Sequence, residues 1–426
     1  MRYHLWRFFY TSLLYLLIPL LIVRLIWRGF YARAYWQRWG ERFGFFPVMS
    51  PQTPFIWIHA VSFGEMQAAI PLIQLLRTDY PNIPILVTTM TPTGSQRVRA
   101  VFGDSVAHVY LPYDFPDAWQ RFFQRIGKPR LLILMETELW VNLIAACEQR
   151  HIPVFLANAR LSARSARGYQ RIRGLISPTL QKLTLIAAQN MEDAERFMVL
   201  GVNPEQVHVT GSIKFDLHLP EQLTEQANLL RAQWGENRPV WIAASTHSGE
   251  EALLLRVFAQ VRQVLPTALL ILVPRHPERF NQVAQYCEQQ GFVICRRSQK
   301  NRGDLTTDVY FGDTMGELLL LYACADISVV GGSFVPVGGH NPLEPAALGL
   351  PIITGEYVFN FSDIYKQLIK IGVAQQFKHE AEVANALCDW LTNPAHCQEV
   401  GRKARDFIHK NRGALFRLYH LITPWL

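Results

Sequence analysis

The chain has little charge and few cysteines for its length, and these shortages exclude several classes of protein. Charged residues make up 18% of its 426 residues, whereas 50% are hydrophobic, a balance that excludes an intrinsically disordered chain. Its six cysteines form no C-x-x-C pair and no Cys/His cluster with the spacing of zinc ligands. The sequence therefore predicts a globular protein of roughly two to three domains, in a reducing compartment, with no metal site.

The common nucleotide-binding signatures are also missing. Without G-x-G-x-x-G or a Walker A motif, hydride transfer and P-loop chemistry lose support. The absence of a D-x-D triplet disfavours a metal-chelated nucleotide-sugar site, and no cofactor is expected. No long Pro/Gly/Ser tract separates the domains, so we expect them to pack against each other.

Acidic residues are fewer than basic ones, 34 against 42, which gives a formal net charge of +8. Such an excess favours anionic partners, and it fits nucleic acid, anionic lipid or an acidic small molecule equally well. The position of the charge in the chain must therefore decide among them.

One uncharged apolar run extends from Phe8 to Val23, between Arg7 and Arg24. It is shorter than the ~20 apolar residues of a spanning helix, and no signal-peptide cleavage site follows it. Arginines and aromatic residues alternate through residues 24–43, which predicts a membrane tether with this flank on the cytoplasmic side. A full span, an interfacial anchor and a buried helix of a soluble domain remain alternatives.

After residue 54, short apolar runs alternate with longer amphipathic stretches, a pattern typical of parallel α/β domains. The predicted strands form two series, on either side of a polar stretch at residues 220–238. The first series is 55–59, 83–88, 105–110, 131–135, 154–157, 185–188 and 207–210; the second is 240–244, 268–273, 293–295, 309–311, 327–330 and 351–354. Two Rossmann-like domains that face a cleft are therefore expected.

Ligands of open parallel sheets bind beyond the carboxyl ends of the strands, so the residues there are the candidates for chemistry. Glu65 follows the first strand, in Ser62-x-x-Glu65, a pattern that favours a helix-capping box, which needs no function; catalysis is the alternative. Glu136 and Glu138 follow another strand, and a helix dipole accounts for only one of these carboxylates. Lys214 follows the last strand of the first series.

Basic side chains and glycine-rich turns mark other strand ends. An arginine cluster that includes Arg160, Arg164 and Arg167 is either a solvated helix face or a contact for the phosphates of a lipid acceptor. Arg275 directly follows a strand, where phosphate binding is natural. Two Gly-Gly turns precede the helix that carries Glu344, whose carboxylate suits ribose hydroxyls, and glycine-rich backbone at a helix start binds anions.

Taken together, these motifs resemble the 3-deoxy-D-manno-octulosonic acid (Kdo) transferases of Gram-negative bacteria. The resemblance covers nearly the whole chain. It rests on RWGERFG, HAVSFGEM, TTMTPTGS, METELW, ANARLSARS, TGSIKFD, LVPRHPERF, GDTMGEL and GGHNPLEPAA. It implies a GT-B fold, with two facing Rossmann-like domains built on parallel sheets and an N-terminal membrane-anchor helix.

The resemblance also implies an activity and its residues. The family transfers Kdo from CMP-Kdo to the lipid A precursor (lipid IVA), with inversion and without metal. Glu65 matches its proton acceptor, and Glu136 and Lys214 match stabilisers of the transition state. The segments that match CMP-binding residues are Pro274 and Arg275; Met315, Gly316 and Glu317; and Asn341, Pro342, Leu343 and Glu344. Whether Lys214 and Arg275 serve the phosphate or the Kdo carboxylate stays open.

Four segments are expected from this reading. They are a membrane anchor at 1–28, an acceptor-binding domain at 29–217, a CMP-Kdo-binding domain at 218–405, and a C-terminal helix at 406–426 that packs back toward the N-terminal domain. The expected location is the inner membrane, with the catalytic domains on the cytoplasmic side. The positive charge then serves an anionic membrane surface and the donor rather than nucleic acid. Another membrane-associated GT-B transferase, a UDP-sugar epimerase and a membrane-tethered sensor are the alternatives.

Overall fold

The computed structural model of the protein describes residues 2–49, 54–299 and 303–426. The chain divides into two compact units. Unit 1 comprises the described residues up to Asp216 together with Arg412–Leu426, and unit 2 comprises Leu217–Asn411. The division after Asp216 lies next to the domain boundary expected at residues 217–218.

Unit 1 is built on a seven-stranded parallel sheet in the order β3-β2-β1-β4-β5-β6-β7. Its strands are β1 (Ile56–His59), β2 (Ile85–Thr89), β3 (Ala107–Tyr110), β4 (Leu131–Met135), β5 (Val154–Ala159), β6 (Leu185–Ala188) and β7 (Val207–Val209). The strands β1, β2 and β4 are fully buried and mostly apolar, as helices on both faces of a parallel sheet require. The strand order reverses between β1 and β4, so the ligand crevice of such a sheet is expected beyond their carboxyl ends.

Nine helices precede the end of this sheet in the described part of unit 1. They are α1 (Arg2–Leu16), α2 (Ile18–Tyr31), α3 (Phe63–Asp79), α4 (Pro92–Phe102), α5 (Pro116–Ile126), α6 (Val141–Gln149), α7 (Ala163–Arg171), α8 (Arg173–Leu180) and α9 (Met191–Val199). From α3 onward each follows a strand or another helix, which is the alternation that the sequence predicts after residue 54.

Unit 2 contains a second seven-stranded parallel sheet, in the order β10-β11-β9-β8-β12-β13-β14. Its strands are β8 (Val240–Thr246), β9 (Leu269–Pro274), β10 (Ile294–Arg296), β11 (Val309–Phe311), β12 (Ile327–Val330), β13 (Ile352–Thr354) and β14 (Ala374–Gln376). Its helices are α10 (Leu223–Trp234), α11 (Glu250–Val264), α12 (Phe280–Gln289), α13 (Leu318–Ala323), α14 (Leu343–Leu348), α15 (Ser362–Lys370), α16 (Glu380–Leu391) and α17 (Pro394–Asn411). Here the order reverses between β8 and β12.

The two predicted series of parallel strands are confirmed, with ends that shift by at most two residues. The short edge strand β14 was not predicted, because Ala374–Gln376 carries no apolar run that distinguishes it from a loop. Seven strands per unit, rather than seven and six, complete the fold.

The expected single N-terminal helix is instead a pair, α1 and α2, bent by 48° at Leu17. Pro19 lies in the first turn of α2, and because proline lacks an N–H and clashes with the preceding turn, it favours a new helix start there. Neither helix alone is long and apolar enough to cross a membrane, whereas the bent pair taken together meets that test by length and composition.

The chain returns to unit 1 through its last helix, α18 (Ala414–Ile422). The predicted C-terminal segment starts at residue 406, inside α17, whereas the part grouped with unit 1 starts at Arg412. The reason is that α17 continues without interruption to Asn411, and Gly413 then turns the chain with a φ of 90°.

Candidate functional site

Glu65 lies in the first turn of α3, directly beyond β1. Its Oε2 accepts the backbone N–H of Val61 at 2.8 Å, and its Oε1 accepts the hydroxyl of Ser62 at 3.2 Å. The Ser62 Oγ in turn accepts the N–H of Glu65 at 3.4 Å. Ser62 therefore caps α3 as the sequence indicates, but the Glu65 carboxylate bonds to the N–H of Val61 and not to that of Ser62, so the reciprocal half of the capping box is not formed. These hydrogen bonds hold the carboxylate at the sheet edge.

The same carboxylate is electrostatically unusual. Burial raises the pKa of Glu65 to about 8; the Val61 N–H opposes this effect, and the charges of Glu138 and Glu136 add to it. The three carboxylates predicted from two different strand ends thus influence one another in the fold. A carboxyl group with a pKa near the working pH is suited to accept a proton in catalysis.

Glu136 and Lys214 are brought together. The Nζ of Lys214 lies 2.9 Å from Oε1 of Glu136, and both side chains are half-buried. Glu136 has a φ of 60°, and its N–H bonds to the carbonyl of Ala157 at 2.9 Å. The left-handed backbone is rare for a residue other than glycine and marks this turn as a candidate functional feature.

Asn158 supports this ion pair from the neighbouring strand and was not predicted. It is fully buried with a φ of 52°, and its Oδ1 accepts the N–H of Ile213 at 3.1 Å. Ile213 opens the short 3-10 turn Ile213–Phe215 that carries Lys214. The only signal in the sequence is a polar residue inside an otherwise apolar strand end.

The predicted acceptor arginines lie beyond β5, at the same edge of the sheet. Arg160 directly follows the strand and is partly exposed, whereas Arg164 and Arg167 are exposed on α7. The helix has a strongly polar sequence, ARSARGYQR, and no buried residue. Its exposed cationic face is available to an anionic partner, and a solvated face remains the other interpretation.

In unit 2, Pro274 ends β9 and Arg275 follows it, with its N–H bonded to the carbonyl of Thr246 at 3.0 Å. The start of α14 is held by Asn341, whose Nδ2 donates to Oε1 of Glu344 at 3.3 Å. Burial raises the pKa of Glu344, while the Asn341 hydrogen bond and the charge of Arg275 oppose the change. Two CMP-binding segments that the sequence predicts are thus electrostatically linked.

The remaining predicted segment, Met315 to Glu317, follows β11 in the same unit. Met315 is 66% exposed and Gly316 has a φ of 87°. Glu317 forms an ion pair with Arg297 at 2.6 Å, and this hydrogen-bonded arginine lowers the pKa of the Glu317 carboxyl. Its carboxylate is therefore committed to Arg297, which leaves the exposed methionine and the backbone of this turn for a ligand.

Among the residues that the structure describes, no group of three or more His, Cys, Asp or Glu side chains is arranged to hold a metal ion. The candidate catalytic groups in unit 1 are two carboxylates, an ammonium and their hydrogen-bond partners.

Comparisons with known proteins give a consistent picture. A family model described as 3-Deoxy-D-manno-octulosonic-acid transferase (kdotransferase) matches residues 37–217. The chain is 44% identical over 423 residues to the 3-deoxy-D-manno-octulosonic acid transferase of Haemophilus influenzae, with 99% of each chain covered. It is 36% identical over 393 residues to that of Bordetella pertussis, with 89% of this chain and 88% of that one covered.

A solved structure shares the fold at much lower identity. Acinetobacter baumannii MurG superposes with a TM-score of 0.56 at 13% identity and covers 87% of this chain and 100% of its own. At this identity the similarity shows the architecture alone. It agrees with a GT-B fold made of two units with parallel sheets.

Proposed function

Since the chain belongs to the family of 3-deoxy-D-manno-octulosonic-acid transferases, we propose that it moves Kdo from CMP-Kdo to lipid IVA, with Glu65 as the general base. The enzyme is a Kdo glycosyltransferase of lipopolysaccharide biosynthesis. The observation that supports the residue assignment is the raised pKa of Glu65, near 8, close to the Lys214–Glu136 ion pair.

In the proposed reaction an acceptor hydroxyl attacks the anomeric carbon of Kdo with inversion. The new C–O bond forms as the bond from that carbon to the phosphate oxygen of CMP breaks, and Glu65 takes the hydroxyl proton. The carboxyl of Glu65 is thus the proton sink, and its raised pKa increases its basicity. CMP departs with the electron pair of the broken bond.

Positive side chains offset the charge that develops. Lys214 lies beside Glu136 in unit 1, and Arg275 lies at a strand end of unit 2. Prearranged cations and N–H groups stabilise developing negative charge without having to reorganise during the reaction. The proposed assignment is therefore that Glu136 orients Lys214, while Arg275 contacts the donor.

We expect this chemistry to proceed without a divalent cation, because the charges that oppose the leaving phosphate are already supplied by side chains and backbone N–H groups. Turnover with CMP-Kdo should persist in excess EDTA. Activity that EDTA abolishes and magnesium restores would contradict this part of the proposal.

The proposed location is the inner membrane, with both units on the cytoplasmic side. The support comes from α1 and α2, which leave large apolar side chains exposed, among them Leu16 at 76% and Phe30 at 72%. Arginines and aromatic residues flank this surface, the combination that favours the headgroup layer. Co-sedimentation with phosphatidylglycerol vesicles, and not with phosphatidylcholine vesicles, is the expected result.

The reaction itself is tested by the mass of the product. The full-length protein is incubated with CMP-Kdo and lipid IVA, and each transferred Kdo appears as a discrete increase in the mass of the acceptor. Glu65→Gln should retain CMP binding and lose turnover by at least about a hundredfold, the contribution typical of a general base.

The matched control is Glu195→Gln, an exposed glutamate of α9 in the same unit. It should leave turnover unchanged. An unmodified acceptor with the wild-type enzyme contradicts the activity, whereas near-normal turnover by Glu65→Gln contradicts the role of Glu65 and leaves the activity in place.

A further inference from the structure

Three histidines meet at the carboxyl edge of the sheet in unit 2. His247 follows β8, His276 follows β9, and His340 precedes α14. The Nε2 atoms of His247 and His340 lie 2.8 Å apart, and the two rings are nearly parallel, with an angle of 10° between them. The ring of His276 packs edge-on against His247, with centroids 5.0 Å apart.

The buried carboxylate of Glu250 fixes the loops around these rings. Its Oε2 accepts the N–H of His247 at 2.8 Å and that of Gly332 at 2.7 Å. Its Oε1 accepts the N–H groups of Ser333 and Phe334 at 3.0 and 2.9 Å. Because charge-assisted hydrogen bonds are strong, the strand ends of β8 and β12 are tied together by one side chain.

The backbone is shaped to make room for the paired rings. Gly332 has a φ of 67°, and a Cβ at this position would lie 2.9 Å from Cδ2 of His340. On the other side, the hydroxyl of Tyr365 donates to the carbonyl of His340 at 3.2 Å. The backbone of the surrounding loops therefore fixes the positions of the His247 and His340 rings.

The short distance between the two nitrogens restricts the protons of the pair. A hydrogen bond between Nε2 of His247 and Nε2 of His340 needs one N–H donor and one bare nitrogen. Two imidazolium rings would place two donors against each other. The pair is therefore able to carry one positive charge while keeping this hydrogen bond, but not two.

Charged groups from several segments face the three rings. They are Glu250 and Glu251 of α11, and Arg275, Glu278 and Arg279 after β9. Glu344 of α14 interacts with Arg275. Glu251 is ion-paired with Arg279 at 2.7 Å. Within the described residues, the guanidinium of Arg275 makes no hydrogen bond or ion pair. The carboxylates of Glu250 and Glu251 are thus held by hydrogen bonds or an ion pair, whereas Arg275 acts on Glu344 through its charge and not through a direct contact.

The pKa values agree with this excess of positive charge. Burial, and after it the nearby His247, Arg275 and His276, lower the pKa of His340 to about 4. The pKa of His247 is lowered as well, first by burial and then by His276. A negative group placed against the rings would act in the opposite direction and raise both pKa values.

We propose that His247, His276 and His340 form, together with Arg275, a subsite that binds an acidic group of the donor and takes up one proton on the His247–His340 pair as it binds. The ligand chemistry is an oxyanion, either the phosphate of the nucleotide or the carboxylate of the sugar. This inference rests on the proposed function. It adds the three histidines, with Glu250 as a positioning residue, to the donor contacts.

The test is titration calorimetry of the full-length protein with CMP-Kdo and with CMP, at pH 7 and in two buffers that differ in ionisation enthalpy. Wild-type protein should take up a proton when CMP-Kdo binds. In His340→Gln the proton uptake should disappear and the affinity should fall about tenfold to a hundredfold, as expected for a lost hydrogen bond to a charged group. His396→Gln, at an exposed histidine of the same unit, should behave as the wild type.

The two ligands distinguish the source of the acidic group. If His340→Gln weakens both CMP and CMP-Kdo, the subsite binds the phosphate; if it weakens CMP-Kdo alone, the subsite binds the sugar carboxylate. Either result supports the proposal. His276→Gln, which changes an exposed side chain, provides a second variant whose folding does not depend on buried contacts and which should weaken the same ligand.

Unchanged affinity and unchanged proton uptake in both variants would overturn the proposal for the three histidines. Wild-type protein that fails to bind CMP-Kdo at all would instead contradict the proposed function. The two failures are thus separate results of one experiment.

Discussion

At the scale of single residues, Glu65 combines two roles that the sequence presents as alternatives. Its oxygens accept the Val61 N–H and the Ser62 hydroxyl at the start of α3, and its own N–H bonds to the Ser62 cap. Burial and two neighbouring carboxylates nevertheless raise its pKa to about 8. Structural capping therefore holds the group in place and does not compete with its use as a base.

The pH dependence of turnover follows from this pKa. The base must be deprotonated, so kcat/KM should rise with pH and level off above pH 8. Glu138→Gln removes a like charge that raises the pKa of Glu65, so the rising limb should move to lower pH. Glu195→Gln should leave the profile in place, and a profile that does not move in Glu138→Gln would contradict the coupling.

The same shift has a consequence for stability. The pKa of Glu65 in the folded protein lies above its ordinary value of 4.5, so ionisation of this group disfavours the folded state. The contribution of Glu65 to the free energy of unfolding is fully present below pH 4.5 and is lost as the pH rises through about 8. Between these two pH values the free energy of unfolding falls, and the same raised pKa makes the Glu65 carboxylate a stronger base.

A second prediction concerns Asn158, which holds the turn that carries Lys214. Asn158→Gly removes the acceptor of the Ile213 N–H and should lower the free energy of unfolding by about 1–3 kcal/mol. Asn158→Ala loses the same bond but, unlike glycine, keeps a Cβ at a φ of 52°, so it should be about 1–2 kcal/mol less stable than Asn158→Gly. Both variants should lower kcat by displacing Lys214, as measured by urea unfolding and steady-state kinetics.

If Asn158→Gly and Asn158→Ala have the same free energy of unfolding, the left-handed backbone does not strain the alanine variant. If neither lowers kcat, the turn does not position Lys214.

At the scale of elements, α1 is attached to unit 1 through a buried carboxylate. The Oδ2 of Asp114 accepts the hydroxyl of Tyr10 at 2.9 Å and the N–H of Asn142 at 2.9 Å, and its Oδ1 accepts the indole N–H of Trp119 at 2.7 Å. Arg7 donates to Oδ1 of Asn142 at 2.8 Å. The first helix is thus part of the packing of unit 1, even where its other face is exposed and apolar.

This attachment predicts different costs for two tyrosines of α1. Tyr10→Phe removes a donor from Asp114, which is only 3% exposed, and should lower the free energy of unfolding by about 1–3 kcal/mol. Tyr15→Phe removes a hydrogen bond to Asp117 on the exposed side and should cost less than about 0.5 kcal/mol. Urea unfolding of the two variants measures the difference, and equal costs would contradict a buried role for Asp114.

At the scale of the whole molecule, the chain leaves unit 1 after Asp216 and returns to it at Arg412. The carboxylate of Asp216 accepts the N–H groups of Gly413 and Leu415 at 2.5 and 2.6 Å. The two chain segments that connect unit 1 to unit 2 are therefore hydrogen-bonded to each other through Asp216. Because α18 packs into the core of unit 1, the core of that unit is complete only when α18 is in place.

Deletion of residues 412–426 tests this arrangement. It removes the buried side chains of Leu418 and Ile422 from the core of unit 1, at roughly 1.5–3 kcal/mol each. Hydrogen exchange should become faster in the strands of unit 1 and stay unchanged in those of unit 2. Phe416→Ser, at a 63% exposed position of α18, is the matched control and should change neither unit; equal loss of protection in both units would contradict the assignment of α18.

The sequence by itself determined the two series of parallel strands, because fully buried strands need uninterrupted apolar runs, and it determined the family, because the motifs stand in one order along nearly the whole chain. It also located Glu65, Glu136, Lys214 and Arg275 at strand ends. Only the tertiary structure decided which side chains meet. It formed the Lys214–Glu136 ion pair, the hydrogen bond from Ile213 to Asn158 and the pair of His247 and His340. Such contacts join residues that are far apart in the chain. The packing of strands and helices sets the distances between them, and a local sequence pattern does not contain this information.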